Sequence, residues 1–298
     1  MSVIEYSSMC FNETNCYEKI DEAKKLVEKN GYEFGVQIHN SIDKGLFEKI
    51  LTLKDQIRLS IHSPVFSKYF LNLATKSNEL SLSICDEAMK YVDLIGSDIF
   101  FFHGFFMTDK PIIQDMKNYR KSMFDGIGNK FSLNNSFIMN PEYFETEEYS
   151  QYKNNFKNNL QMIKNRYSNK NIILENDFVG IGSGLQRPKE IIEIIDNLWF
   201  DLGHFWCASL LHKFDYYEMS DYLTENKKIF GVHINHNLMK HSDNPEDIKD
   251  SHAHLYEKSE QNLKPILRKL NDKKVNIFTL EILDGDIEDI KILLDWLT

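Results

Sequence analysis

Residues 171–201 read NIILENDFVGIGSGLQRPKEIIEIIDNLWFD. The stretch opens on an apolar run closed by a carboxylate, Asn171–Glu175, and crosses a glycine-bearing loop. It then takes up helical period from Pro188 to Asp196 and ends on a second apolar run closed by a carboxylate, Leu198–Asp201. Neighbouring parallel strands need a crossover of a dozen or more residues, usually through a helix, and this stretch supplies one, the sequence signal for a βα repeat and a parallel sheet. The same rhythm extends in both directions. Strands are predicted at Val3–Ser8, Glu33–Ile38, Ile57–His62 and Asp98–His103 before this stretch, and at Ile229–Asn235 and Val275–Glu281 after it. Amphipathic helices are predicted at Tyr17–Asn30, closed by Gly31, and at Glu79–Ile95, closed by Gly96. Others follow at Thr146–Tyr167, Tyr216–Glu225, Glu257–Leu270 and Ile287–Leu297. Eight such units make an α/β fold, a closed (β/α)8 TIM barrel, in one domain over residues 1–298. An open doubly wound sheet has less support, since no glycine-rich phosphate loop follows the first strand.

Composition agrees with a folded core: 42% hydrophobic and 27% charged residues, with 13 Gly and 6 Pro in 298. A formal charge of −10 argues against a broad nucleic-acid footprint. Arginines are few (Arg58, Arg120, Arg166, Arg187 and Arg268), so any strong anion binding would need positive charge from elsewhere, such as metal ions. The chain begins without a signal-peptide pattern and has no run of about 18 apolar residues, so it is expected to be cytoplasmic with no membrane partner. Cys10, Cys16, Cys85 and Cys207 lack CxxC spacing and read as ordinary thiols.

One segment breaks the rhythm. Residues 104–145 follow the fourth strand without a helix of barrel length and are expected to form a long insertion on the catalytic face, either a lid or a plain insertion with a short helix near Ile112–Lys121.

The chemistry lies at the strand ends. His62, His103, Glu175, Asp201, His233 and Glu281 each stand at or near the close of a predicted strand, and in a barrel those ends converge on one mouth. Three carboxylates crowded there call for cations, and imidazole mixed with carboxylate suits zinc, manganese or iron better than calcium. His204, three residues after Asp201, and the pair Asp250 and His252 can reach the same space from loops. His236 and His254 flank these positions and are expected to orient ligands. Trp206 is expected to wall the pocket, and His39, His212 and His241 to lie at the surface.

With these residues in hand, the sequence resembles the xylose isomerase-like TIM barrels, most closely the endonuclease IV (AP endonuclease family 2) family. The resemblance rests on IHSPVFSKYFLNLA, LIGSDIFFFHG, ILENDFVGIGSG, DLGHFWCAS, GVHINHN, DSHAHL and TLEI in that order, spanning about Ile57 to Ile282. It implies up to three divalent ions, zinc by family habit. His62, His103 and Glu175 would hold one. Glu175 as a bridge with Asp201, His233 and Glu281 would hold the second, and His204, Asp250 and His252 the third. The implied activity is phosphoester or phosphodiester hydrolysis by a metal-bridging hydroxide. The sequence departs from the family where His39–Lys44 lacks the Arg and aromatic residues used on damaged DNA, and where His103-Gly104-Phe105 replaces His-Pro-Gly. These changes touch substrate contacts, so abasic DNA and a smaller phosphoester both stay open as substrates.

The alternative is a sugar or sugar-phosphate isomerase or epimerase using one divalent ion on Glu175, Asp201, His233 and Glu281. There Glu175 and Glu281 would be the catalytic carboxylates that move a substrate proton. Oxidative iron chemistry and a non-enzymatic binding module are further readings of the same residues.

Overall fold

The computed structural model describes residues 2–298. Eight strands close into one parallel barrel in sequence order: β1 (Val3–Ser7), β2 (Glu33–Ile38), β3 (Arg58–Ser63), β4 (Ile99–Phe102), β5 (Asn171–Glu175), β6 (Asn197–Asp201), β7 (Lys228–Ile234) and β8 (Ile277–Leu280). Strand β1 pairs with both β2 and β8, which closes the sheet and leaves no edge. The helices surround it: α1 (Cys16–Lys29), α2 (Lys44–Leu51), α3 (Glu79–Leu94), α4 (Tyr119–Ile127), α5 (Glu147–Arg166), α6 (Pro188–Ile194), α7 (Leu202–His212), α8 (Tyr216–Asn226), α9 (Lys264–Asp272) and α10 (Ile287–Leu297). No described helix is long and apolar enough to cross a membrane.

Side chains alternate across each strand, and the alternation sorts the core into two parts. Ile4, Tyr6, Phe34, Val36, Phe100, Phe102, Leu174, Phe200, Val232 and Leu280 face outward and pack against the helices. Val3, Ile99, Phe101, Ile173, Trp199 and Ile277 face inward and fill the barrel. Trp199 is fully buried in that filling, and β7 makes room for it: a Cβ on Gly231 would lie 2.8 Å from the indole ring. Two residues further along the inward phase stand His103, Glu175, Asp201, His233 and Glu281, above Phe101, Ile173, Trp199, Gly231 and Thr279. His62 stands likewise above Ser60. Period two therefore delivers all six to the inner face at one end.

The helix ends follow their sequence signals. Gly31 and Gly96 take positive φ, +82° and +69°, just past α1 and α3. Asp43, Asp215 and Thr146 accept hydrogen bonds from first-turn amides of α2, α8 and α5. Two predictions shift. The helix expected from Glu257 begins only at Lys264, beside Pro265, because 257–263 is spent on turns that tie back to Asn237 and His254. The short helix expected near Ile112–Lys121 falls at Tyr119–Ile127, since the Asp115 side chain first caps a 3-10 turn at Met116–Asn118.

The connection from β4 to α5 is stitched to its surroundings. Phe70 donates its amide to Ile112 O and Gln114 to Lys68 O, while Met107 donates to Gly182 O and Ile181 to Phe137 O. Phe70, Phe106, Ile112, Met123, Phe137 and Ile181 form a separate apolar cluster beneath it. The segment thus stands as a wall beside the barrel mouth.

Candidate metal centre

Glu175 stands at the centre of the mouth, 1% exposed. Its two oxygens address different groups. Oε2 lies 3.1 Å from His62 Nε2 and 3.1 Å from His103 Nε2. Oε1 lies 2.9 Å from His233 Nδ1 and 3.6 Å from His204 Nδ1. His233 Nδ1 is also 3.3 Å from Glu281 Oε2 and 3.5 Å from Asp201 Oδ2. Two compact donor sets result, His62–His103–Glu175 and Glu175–Asp201–His233–Glu281, each with all its donor atoms within 4.8 Å of one another. Asp250 Oδ2 links the remaining pair, 2.9 Å from His204 Nε2 and 2.9 Å from His252 Nε2.

Second partners fix how the imidazoles point. His103 Nδ1 meets Asp177 Oδ1 at 3.2 Å, His204 Nδ1 meets Asn176 O at 3.1 Å, and His252 Nδ1 meets Glu281 O at 2.9 Å. His233 is turned the other way, with Nε2 2.7 Å from Gln37 Oε1. Each acceptor can take one ring N–H, so that the opposite nitrogen, which faces the carboxylates, is the one that would bind an ion once its own proton is lost. Asp201 divides its labour too: Oδ1 accepts the His204 amide as the N-cap of α7, while the buried Oδ2 has no hydrogen-bond partner. Asp250 Oδ1 and His62 Nδ1 are buried and unpartnered as well. Orphaned carboxylate oxygens and imidazole nitrogens crowded into one buried space are what a divalent cation relieves, so the donor set fits metal.

The electrostatics of the residues alone tell the same story. Burial alone would raise the Glu175 carboxyl, but the charges of His103 and His233 outweigh it and hold it well below its usual range. Burial raises Glu281, against the pull of His233 and His252. His103 is carried up to about 9 and His252 to about 10, in each case against burial, by the carboxylates they face. His62 goes the other way, pushed down to about 4 by burial. Without cations the carboxylates recruit protons onto the histidines; with cations those protons must leave.

Several residues of this site escaped the sequence reading. His39, expected at the surface, follows β2 directly and stacks on His62 with ring centroids 5.4 Å apart. Its Nδ1 accepts the Ser41 amide, so the N–H sits on Nε2, 3.6 Å from Glu281 Oε1. Its place one residue past β2, matching His103 one residue past β4, was the available signal. Asp177, Asn176 and Gln37 are the other three, hidden because an orienting side chain has no spacing rule of its own. Trp206 does not wall the pocket: it is fully buried, donates Nε1–H to Met239 O and packs against Tyr216. His236 and His254 bond to Glu257 O and Asp289 rather than to cluster residues. His212 is largely buried against Gln186 and Phe144, whereas His241 is exposed beside Glu260. All four cysteines are buried free thiols.

A cavity of about 410 Å³ opens above the cluster. His39, His62, His103, His204, Asp250, His252 and Glu281 form its floor, and Phe70, Phe106, Tyr119, Phe137 and Phe178 its sides.

No protein-family model matches the sequence, and no curated protein does. Solved structures do match over nearly the full length. The TTHB071 protein of Thermus thermophilus, soaked with ZnCl2, aligns with a TM-score of 0.53 and 14% identity, covering 99% of this chain and 98% of its own. The apo form of 3-keto-D-glucoside 4-epimerase, YcjR, from E. coli gives 0.57 and 12%, covering 99% and 97%. Protein SMc04130 of Sinorhizobium meliloti 1021 gives 0.50 and 11%, covering 98% and 96%. At such identities the likeness is one of fold.

Proposed function

We propose that this barrel belongs with the xylose isomerase-like enzymes and is a metal-dependent phosphoester hydrolase resembling endonuclease IV. The observation that carries the reading is the split of Glu175, whose two oxygens face two separate donor sets, an arrangement suited to bridging ions and superfluous for a single one. His62, His103 and Glu175 would hold one ion, Glu175, Asp201, His233 and Glu281 a second, and His204, Asp250 and His252 a third. Divalent ions in such a site, zinc by donor type with manganese or iron also compatible, supply an activated water and offset the charge that develops on phosphoryl oxygens. The protein's own part is orientation: Gln37, Asn176, Asp177 and the Glu281 carbonyl hold the imidazoles, and His39 presents an N–H toward Glu281 beside the floor.

A second reading, a sugar epimerase or isomerase with one ion on Glu175, Asp201, His233 and Glu281, draws support from the compactness of that four-residue set and from the fold shared with the E. coli epimerase. Metal content separates the two. Elemental analysis should find close to three ions per chain in the wild type and close to two in His252→Ala, with phosphodiesterase activity lost in Glu175→Gln. One ion in both proteins would overturn the hydrolase and favour the epimerase.

A further inference from the structure

The cavity above the cluster has a charge pattern that the metal centre does not use. Of the side chains lining it, Arg120 is the one that carries a fixed positive charge; the acidic lining residues are Asp177, Asp250 and Glu281. Asp177 and Asp250 are committed to His103, His204 and His252, and Glu281 belongs to the donor set. Arg120 has no carboxylate within 4 Å among the described residues. Its guanidinium stands 5.3 Å from the centroid of the Phe137 ring, on the first turn of α4, exposed to the cavity mouth. A planar cation held on an aromatic face is oriented without being neutralised, the state in which it best accepts an anion in bidentate fashion.

The surface around Arg120 is built to hold its place. Phe137 is fixed by Ile181 N–H donating to its carbonyl, packs edge-on to Tyr119 and Phe124, and stacks on Phe178. Tyr119 in turn meets Phe70 from the β3 loop. The aromatic side of the cavity is therefore one continuous packed unit running from the β3 loop through the 104–145 segment to the β5 loop. A volume near 410 Å³ with such sides lies in the range of small-molecule sites. The aromatic side offers apolar surface against which a ring can lie, and a polymer has no groove of matching basic charge to follow on a chain of net charge −10.

We propose that the substrate is a small, ring-bearing molecule with two anionic groups: one is processed at the carboxylate–histidine floor, the ring lies on the aromatic side, and Arg120 holds the second. The first of these placements rests on the phosphoester reading above; the role of Arg120 does not. Arg120 is thus a specificity residue, and its loss should cost binding of the second anion without disturbing the floor.

The test uses zinc-loaded full-length protein and two probes, thymidine 3′,5′-bisphosphate and thymidine 5′-monophosphate, titrated calorimetrically into wild type, Arg120→Gln and Arg120→Lys. The wild type should prefer the bisphosphate by about 10- to 100-fold, the range for a charge-assisted pair. Arg120→Gln should erase that preference with metal content and monophosphate affinity unchanged, and Arg120→Lys should keep only part of it. An equal preference in wild type and Arg120→Gln would overturn the proposal, as would a 20-base-pair abasic duplex binding more tightly than the bisphosphate. Turnover of phosphoesters is read separately, so an inactive protein that still shows the Arg120-dependent preference would refute the hydrolase reading and leave the anion site standing.

Discussion

Asp177 shows how much of the candidate metal site would lie outside its ligands. One carboxylate oxygen faces His103 Nδ1 at 3.2 Å and the other accepts the Gly184 and Leu185 amides at 3.1 and 2.8 Å, so the loop after β5 and the imidazole after β4 are locked to one side chain. Asp177→Asn preserves shape and the amide contacts but removes the charge that steers the ring. Loss of such an outer partner typically weakens metal binding by about 10- to 100-fold. A competition titration against a chromophoric chelator should therefore show one class of ion, that on His62, His103 and Glu175, weakened by this factor while the others hold. Unchanged affinity for every ion would mean that His103 needs no steering. At this scale the sequence was legible where geometry forces position. His62, His103, Glu175, Asp201, His233 and Glu281 were visible because strand period and barrel closure dictate where a strand-end side chain goes. Asp177, Asn176, Gln37 and His39 were not, because what they do depends on neighbours brought together only by the closed barrel.

Among the elements, the helices that escaped the sequence pattern did so for identifiable reasons. Helix α7 is buried from Leu202 through Leu211, so it has no polar stripe and no amphipathic period to detect. Helix α2 spans only Lys44–Leu51, two turns announced chiefly by its Asp43 cap. The end of α7 has a measurable consequence. His212 sits between Gln186 and Phe144, and burial, reinforced by the charge of Arg187, pushes its imidazole down to about 3. The folded-state value is depressed below the ordinary 6.5, so between those limits the unfolded chain binds a proton that the folded one refuses. The contribution of neutral His212 to stability is thus intact above pH 6.5 and declines as pH falls toward 3. At pH 5 the loss is about 1.5 units at 1.36 kcal/mol each, about 2 kcal/mol. Urea denaturation of wild type and His212→Gln should show the wild type losing ground by about that amount between pH 7.5 and pH 5. A gap between the two proteins that does not move with pH would show that His212 already accepts a proton in the fold.

For the whole molecule, the fold turns a liability into a candidate binding site. Closing an eight-stranded barrel necessarily points its strand-end residues at one another, and here that convergence gathers Glu175, Asp201 and Glu281 in a space where none is more than 4% exposed at the side chain. Among the residues themselves, only histidine protons are near enough to balance the carboxylates, which is why His103 and His252 are drawn up to about 9 and about 10. At pH 7 both rings therefore carry protons before any ion arrives, and an ion can bind only by expelling them. Metal affinity should accordingly weaken as pH falls, by about tenfold per pH unit for each proton released below pH 9. The dependence should ease above about pH 9 and again above about pH 10, as His103 and then His252 give up their protons, while His204 and His233, also raised by the carboxylates around them, keep part of it. Calorimetric zinc titrations at pH 7 in two buffers of different ionisation enthalpy would count the protons directly, and more than one per chain is expected. The same linkage makes metal a stabiliser of the fold: at a hundredfold excess over its dissociation constant a bound ion adds about 2.7 kcal/mol, so chelation should lower the melting temperature more at pH 8 than at pH 6. Zinc binding that releases no protons, with an equal chelator effect at both pH values, would mean that the carboxylates are balanced by something other than these histidines.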